Sequence, residues 1–314
     1  MSSFGKIIAI TGPTATGKTA LGVSLAKVID GEVVSADSMQ VYKFMDIGTS
    51  KPLPSEKMDI PHHMIDIVSP LEDYSVARYV CDGSKCIEDI VRRGKKVVLV
   101  GGSGLYINSL LFGQEFQPRG DSELRVQLEA KYDSIGGDAL LSELCQYDPV
   151  SADRLSANDK KRIVRAIEVY MTTGKTISEH NAISAAAPPR YAFVTFALTF
   201  SERTALYKRI DRRVDLMVSA GLESEVRKLL DMNVSKRSTA MQAIGYKEMV
   251  RAISGDCTVS EAVDKIKMES RRYAKRQLTW LRRDKSVNWI TWGDAPDYNE
   301  GLETILRGLE IEEK

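Results

Sequence analysis

The sequence predicts an α/β protein: a parallel sheet flanked by helices, with a smaller all-helical inserted domain. Three observations carry this. The run Lys6-Ile-Ile-Ala-Ile-Thr-Gly-Pro-Thr-Ala-Thr-Gly-Lys-Thr19 joins a β-branched strand to a glycine loop, and Ala20 to Ile29 then shows apolar residues at helical spacing. Two later strand-like runs, Glu32–Ser35 and Lys96–Val100, each lead into a loop of glycine or polar residues. In an open α/β sheet such loops, at the carboxyl ends of strands, are where ligands sit. Finally, short polar helices fill the stretch from about 114 to 189, after which a buried strand returns at Tyr191–Leu198. The expected division is 1–113 with 190–314 as the sheet-bearing core and its C-terminal helices, and 114–189 as the insert.

Gly12-Pro13-Thr14-Ala15-Thr16-Gly17-Lys18-Thr19 fits G-x-x-x-x-G-K-[ST], and its place between strand and helix is the context a phosphate loop needs. Successive amides of such a loop form a nest at a helix N-terminus, where the helix dipole also favours anions. Lys18 is expected to bridge outer phosphate oxygens, and the Thr19 hydroxyl to ligate Mg²⁺. The core is therefore expected to be P-loop NTPase-like and to bind a di- or triphosphate. The second strand ends at Ala36-Asp37-Ser38-Met39-Gln40-Val41-Tyr42, which topology places at the same rim as the phosphate loop.

Asp46–Pro54 is turn chemistry, and Ile65–Val68 is a candidate short strand. The pair His62-His63 has no third ligand at metal spacing, so structural hydrogen bonding is the expectation there. Tyr74–Arg93 reads as a helix with Gly94 as its cap. Gly101-Gly102-Ser103-Gly104 then lets backbone approach a ligand closely. In the insert, helices are expected over 121–133, 138–146 and 158–173, with Ala185–Pro189 as a linker. Helices follow at 201–220, 222–232, 241–253 and 259–284, with a last short strand at Asn288–Thr291.

With 314 residues, 43% apolar and 28% charged, the chain is composed like a globular protein with a real core. It has no apolar run near the ~18 residues a membrane span needs. Met1–Gly5 runs straight into the first strand, leaving no room for a secretory signal. Cys81, Cys86, Cys145 and Cys257 are scattered, without zinc spacing, and free thiols in a reducing cytoplasm are expected. The net charge of +1 hides two basic stretches, Lys160–Arg165 and Arg271–Arg283, so a polyanionic partner is compatible.

A phosphate loop serves ATPases, GTPases, kinases and some group transferases. No Asn-Lys-x-Asp guanine signature is present, and the strand Val97–Val100 ends in Gly101-Gly102 with no acid, against GTPases and ATPase motors. A kinase sets an acid to take the acceptor's proton. Asp37 suits that role, and equally suits an acceptor that attacks carbon; spacing leaves both open. A small-molecule kinase and a nucleotide-controlled RNA-binding module stand as the alternatives.

The whole pattern resembles the tRNA dimethylallyltransferases, also called tRNA isopentenyltransferases. The resemblance runs through the phosphate loop, Asp37–Tyr42, Met45–Thr49, Pro61–Asp66, Val100–Tyr106, Ala243–Glu248 and Tyr273–Trp280. Thr16, Ser103 and Ser270 stand where that family more often has Ser, Thr and Thr; each keeps a hydroxyl. No Cys/His tail follows Gly293, as in a bacterial member without a zinc finger.

The resemblance implies transfer of a five-carbon group from dimethylallyl diphosphate to N6 of adenosine 37 in the tRNA anticodon stem-loop; nothing in the sequence demands more than a monomer. It implies Lys18, Thr19, Asp37 and Ser103 as catalytic residues, and Gly12–Thr19 with Arg213 as diphosphate ligands. Ser103 would sit where the two substrates meet. It further implies RNA contacts from Asp37, Ser38, Met39, Gln40, Ser103, Arg125 and Arg276. The segment Lys161, Arg162, Ile163, Val164 and Arg165, and the segment Gln242, Ala243, Ile244, Gly245, Tyr246 and Lys247, join them. Asp37 would hold the adenine amine and take its proton, a role worth roughly 10²–10⁴ in rate. The base must leave its stack to reach it.

Overall fold

Every residue of the first strand, β1 (Ile7–Thr11), is buried, as a β-branched run must be when helices cover both faces of a parallel sheet. The computed structural model describes residues 5–114, 116 and 122–313. After β1 come α1 (Lys18–Val28), β2 (Gly31–Ser35), α2 (Pro54–Lys57), β3 (His62–His63), α3 (Val76–Arg92), β4 (Lys96–Val100) and α4 (Gly104–Phe112). Then follow α5 (Ser122–Ile135), α6 (Gly137–Cys145), α7 (Pro149–Arg154), α8 (Lys160–Thr173) and α9 (Ile177–Ala186). The chain returns with β5 (Phe193–Phe200), α10 (Arg203–Ser219), α11 (Leu222–Asp231), a 3₁₀ turn at Ala240–Gln242 and α12 (Tyr246–Ile253). It continues through α13 (Val259–Leu281), β6 (Asn288–Trp292) and α14 (Tyr298–Glu313).

The strands lie in the order β3-β2-β4-β1-β5-β6, every neighbouring pair parallel. Ile8 pairs with Val98 and Val194, and Ile10 with Val100 and Phe196. Alternate residues serve opposite cores: Ile7, Ala9, Val34, Val97 and Leu99 face one, Ile8, Ile10, Val33, Val98 and Val100 the other. This is the two-residue period of a strand buried on both sides. Because all strands point the same way, β1, β2 and β4 deliver the phosphate loop, the Asp37 loop and the Gly101–Gly104 turn to one edge.

Two compact units result: Met1–Gly113 with Arg190–Lys314, and Gln114–Pro189. The second has its own core, built from residues such as Leu128, Leu140, Leu144, Ile163, Val164 and Ile167. Asp148 caps α7 through the Ser151 amide (3.0 Å) and also accepts from the Ser178 amide (3.3 Å) and hydroxyl.

Several elements differ from expectation. The short strand before α3 is His62–His63, not Ile65–Val68, because Val33 and Val34 of β2 take those histidines as partners; Val68 makes only an isolated bridge to Tyr42. The helix expected over 241–253 is broken at Ala243–Gly245, where Gly245 takes a φ of 100°. Helices α2, α4, α7, α9 and α14 were not expected, α9 reaching into the presumed linker. Residues 1–4, which bear on the leader, and Asp121, the first residue expected in the insert's first helix, lie outside the described residues.

The histidine pair is structural. His63 Nε2 lies 2.7 Å from Glu32, and His62 Nδ1 lies 2.8 Å from the Ile60 carbonyl. Glu32 is 4% exposed within β2 and also pairs with Arg93. That guanidinium's hydrogen bond holds its carboxyl at about 2. Among the described residues no cluster of three or more His, Cys, Asp or Glu could cage a metal, and the four cysteines are unpaired.

Candidate active site

The phosphate loop is held from behind by parts of the chain far away in sequence. Gly12 packs on β5 so tightly that a Cβ would meet the Leu198 carbonyl oxygen at 2.5 Å. The Pro13 carbonyl accepts from the Thr16 hydroxyl (2.8 Å) and from Lys18 Nζ (2.6 Å). Arg209 donates to the Ala15 carbonyl (3.0 Å) and Trp292 to that of Thr16 (2.9 Å). Ala15 and Gly17 take left-handed φ values of 65° and 89°, which turns successive peptide groups so that α1 starts at Lys18. The Thr14 amide is not part of the free nest: it donates to Gln277 Oε1 at 3.1 Å.

Above the loop lies a cavity of about 420 Å³. Thr14, Lys18, Thr19, Asp37, Ser38, Met39, Gln40 and Arg213 line it together with Gly101 and Gly102. Gln242, Ala243, Ile244, Lys247, Tyr273 and Arg276 also contribute to its wall. Burial, then the neighbouring Arg213, lowers Lys18 to about 7, while Asp37 pulls it back up. Burial likewise lowers Arg213, opposed by Asp37 and Glu56. The site thus gathers two basic groups whose charged forms burial disfavours, facing the Asp37 carboxylate.

Asp37 is oriented by its own loop. Its Oδ1 accepts from the amides of Met39 (2.9 Å) and Gln40 (3.3 Å), which holds the carboxyl to its own turn at the cavity wall. Ser103 does not line the cavity as expected. It is 9% exposed and works from behind, accepting from the Ser38 amide at 3.1 Å and hydrogen-bonding Tyr273. Burial, followed by Asp37, pushes the Tyr273 hydroxyl up to about 12, so it stays a neutral donor.

Tyr246 is fully buried and Gly245 is buried; Gln242, Ile244 and Lys247 are the more accessible members of that segment, and Ala243, though buried, still lines the cavity. Arg276 stacks near the Tyr273 ring (5.7 Å). The remaining expected RNA contacts belong to the second unit. There Ile163 and Val164 are core, while Lys161 and Arg162 are exposed. Arg125 and Arg165 both bind the same oxygen of Glu168, at 2.6 and 2.8 Å.

Gln277 and Ser50 were missed. Gln277 ties the Thr14 amide to the Gly102 carbonyl (2.8 Å), joining the phosphate loop to the glycine turn. A polar residue on the buried face of α13 was its only local signal. Ser50 accepts from Arg213 Nε at 2.9 Å, across 163 positions, and nothing local marks it.

Fold and site together define a phosphate-loop protein whose loop shares one cavity with a carboxylate. The IPP transferase family matches residues 40–284. The chain is 46% identical over 305 residues to a tRNA dimethylallyltransferase of Carboxydothermus hydrogenoformans, covering 97% of this chain and 96% of that one. It is also 46% identical over 304 residues to that of Acetivibrio thermocellus, covering 96% of each. The solved tRNA isopentenylpyrophosphate transferase of Bacillus halodurans superposes with a TM-score of 0.73 at 42% identity, over 97% and 95% of the two chains. A eukaryotic dimethylallyltransferase acting on tRNA gives 0.77 at 30%, over 93% and 74%. This chain belongs to the IPP transferase family.

Proposed function

We propose that this enzyme transfers the dimethylallyl group of dimethylallyl diphosphate to N6 of adenosine 37, beside the anticodon of tRNA, and releases diphosphate. The single observation that carries the reading is Lys18 and Arg213 facing Asp37 within one cavity. The allylic C–O bond breaks with its electron pair going to the diphosphate, whose charge Lys18, Arg213 and the amides of Ala15–Thr19 receive. Such preorganised donors are worth about 10²–10³ each in rate. The N6 lone pair, delocalised into the adenine ring, forms the new N–C bond as Asp37 takes the N6 proton. The relatives are transferases of this type, and no observation favours the kinase.

A Mg²⁺ ion would fit at Thr19. Thr19 lines the cavity beside Lys18, and its hydroxyl would join phosphate oxygens and water in holding the ion. When bound, it would supply further charge to the leaving diphosphate. Gln40, Met39 and Arg276 on the cavity wall suit a flipped adenine and its neighbours. Arg125, Lys161, Arg162 and Arg165 would meet the anticodon stem-loop from the insert. No helix among the described residues is long and apolar enough to cross a membrane; action in the cytoplasm is part of the proposal.

The test is incubation with Mg²⁺, an anticodon stem-loop carrying adenosine 37, and either dimethylallyl diphosphate or ATP. Nucleoside mass spectrometry should show one five-carbon unit on that adenosine with the allylic substrate alone. An unmodified adenosine overturns the reading.

A further inference from the structure

Glu225 lies on α11, behind the cavity wall, with 8% of its surface exposed. Its carboxylate accepts four hydrogen bonds. Oε2 takes the amides of Asp46 (2.8 Å) and Ile47 (2.7 Å), and Oε1 takes the Gly48 amide (3.0 Å) and the Tyr246 hydroxyl (2.6 Å). Three successive amides closing on one carboxylate make a nest turned inward. Gly48 lies against the Tyr246 ring, where a Cβ would come within 2.4 Å of a ring carbon.

The segment pinned in this way runs directly into Thr49 and Ser50. Ser50 holds a left-handed φ of 48°, a conformation disfavoured for any residue with a side chain. Its amide donates to Ile47 (3.0 Å), and the Thr49 hydroxyl to Met45 (2.5 Å). From there the Ser50 hydroxyl accepts from Arg213, while the carbonyls of Thr49 and Ser50 accept from Gln40 Nε2 at 3.3 and 3.4 Å. Strain of this kind persists only where surrounding contacts over-determine it.

We infer that Glu225 is a positioning residue: one buried carboxylate sets the posture of Arg213 on the diphosphate side and of Gln40 beside Asp37. The inference rests on the proposed function for the identity of the two substrates. When the clamp is removed, Ser50 relaxes, and both acceptors move together. A displacement of about 1 Å at such a remove costs up to ~10²-fold.

The experiment is steady-state kinetics of the full chain with dimethylallyl diphosphate and the stem-loop. Glu225→Gln keeps the shape but turns an NH₂ towards hydrogen-bond donors. It should raise KM for the allylic diphosphate roughly ten-fold and also raise that for RNA. Ser50→Ala should raise the first about five-fold, and the double variant should be no worse than Glu225→Gln alone, because coupled residues are not additive. Ile87→Ala, on the buried face of α3, should lower Tm and leave both KM values alone. If Glu225→Gln does not fold, Tyr246→Phe removes one of the four donors and should shift KM in the same direction by less. Wild-type KM values in either folded variant, or additive penalties with Ser50→Ala, overturn the inference. Should the wild-type protein transfer no allylic group, the functional reading fails instead. Inorganic diphosphate titrated into wild type and Glu225→Gln then decides the Arg213 arm: weaker binding in the variant supports it, equal binding overturns it.

Discussion

Lys18 meets the cavity with its ammonium against the Pro13 carbonyl, and burial followed by Arg213 brings it from 10.5 to about 7. That gap corresponds to about 5 kcal/mol of penalty for the charged ammonium in the free protein. The unfolded chain keeps this proton up to 10.5 and the folded chain only up to about 7. The penalty is therefore fully present below 7, and Lys18 makes the free protein more stable as pH rises from 7 to 10.5. A bound diphosphate reverses the balance by restoring the charge, so above pH 7 binding must take up a proton. The Lys18 contribution to affinity should weaken roughly thirty-fold between pH 6 and pH 8.5. Calorimetric titration with inorganic diphosphate at pH 8.5, in buffers of different ionisation enthalpy, should show uptake of close to one proton. Lys18→Gln should abolish that uptake. Equal proton uptake in wild type and Lys18→Gln would refute the reasoning, because the cavity would then not be holding Lys18 neutral.

Asp37→Asn keeps the Asx turn but cannot accept the N6 proton; single-turnover transfer should slow by ~10²–10⁴ while stem-loop affinity stays within about two-fold. A rate within three-fold of wild type removes Asp37 from proton transfer. In the insert, Glu168→Ala leaves Arg125 and Arg165 without their shared oxygen, and with those arginines about a third exposed the loss should be about 2–3 kcal/mol by urea unfolding. An unchanged midpoint would show the pair to be idle. Gly48→Ala drives a methyl into the Tyr246 ring, which Glu225 prevents from moving aside, and should cost about 2–3 kcal/mol. A loss under about 0.5 kcal/mol in chemical denaturation would mean that the ring yields.

The phosphate loop, the Asp37 loop and the glycine turn were legible as a linear string because each is a local device. A loop's amides, a helix dipole and a strand's period of two are set within about twenty residues, and parallel topology alone brings three strand ends to one rim. The second unit was legible for a similar reason, since a block of polar helices needs its own small core. Chain order could not show which distant groups complete the cavity. Gln277 meets Thr14 across 263 positions, and Glu225 meets Asp46 across 179. Neither contact leaves a periodic trace, because a hydrogen bond fixes two atoms in space without constraining the residues between them. Burial was equally out of reach: Tyr246, Ile163 and Ser103 sit in stretches that look like ligand contacts, and packing turned them inward. Local chemistry declared what the loops could bind, and long-range contacts chose which of their groups remain free to do it.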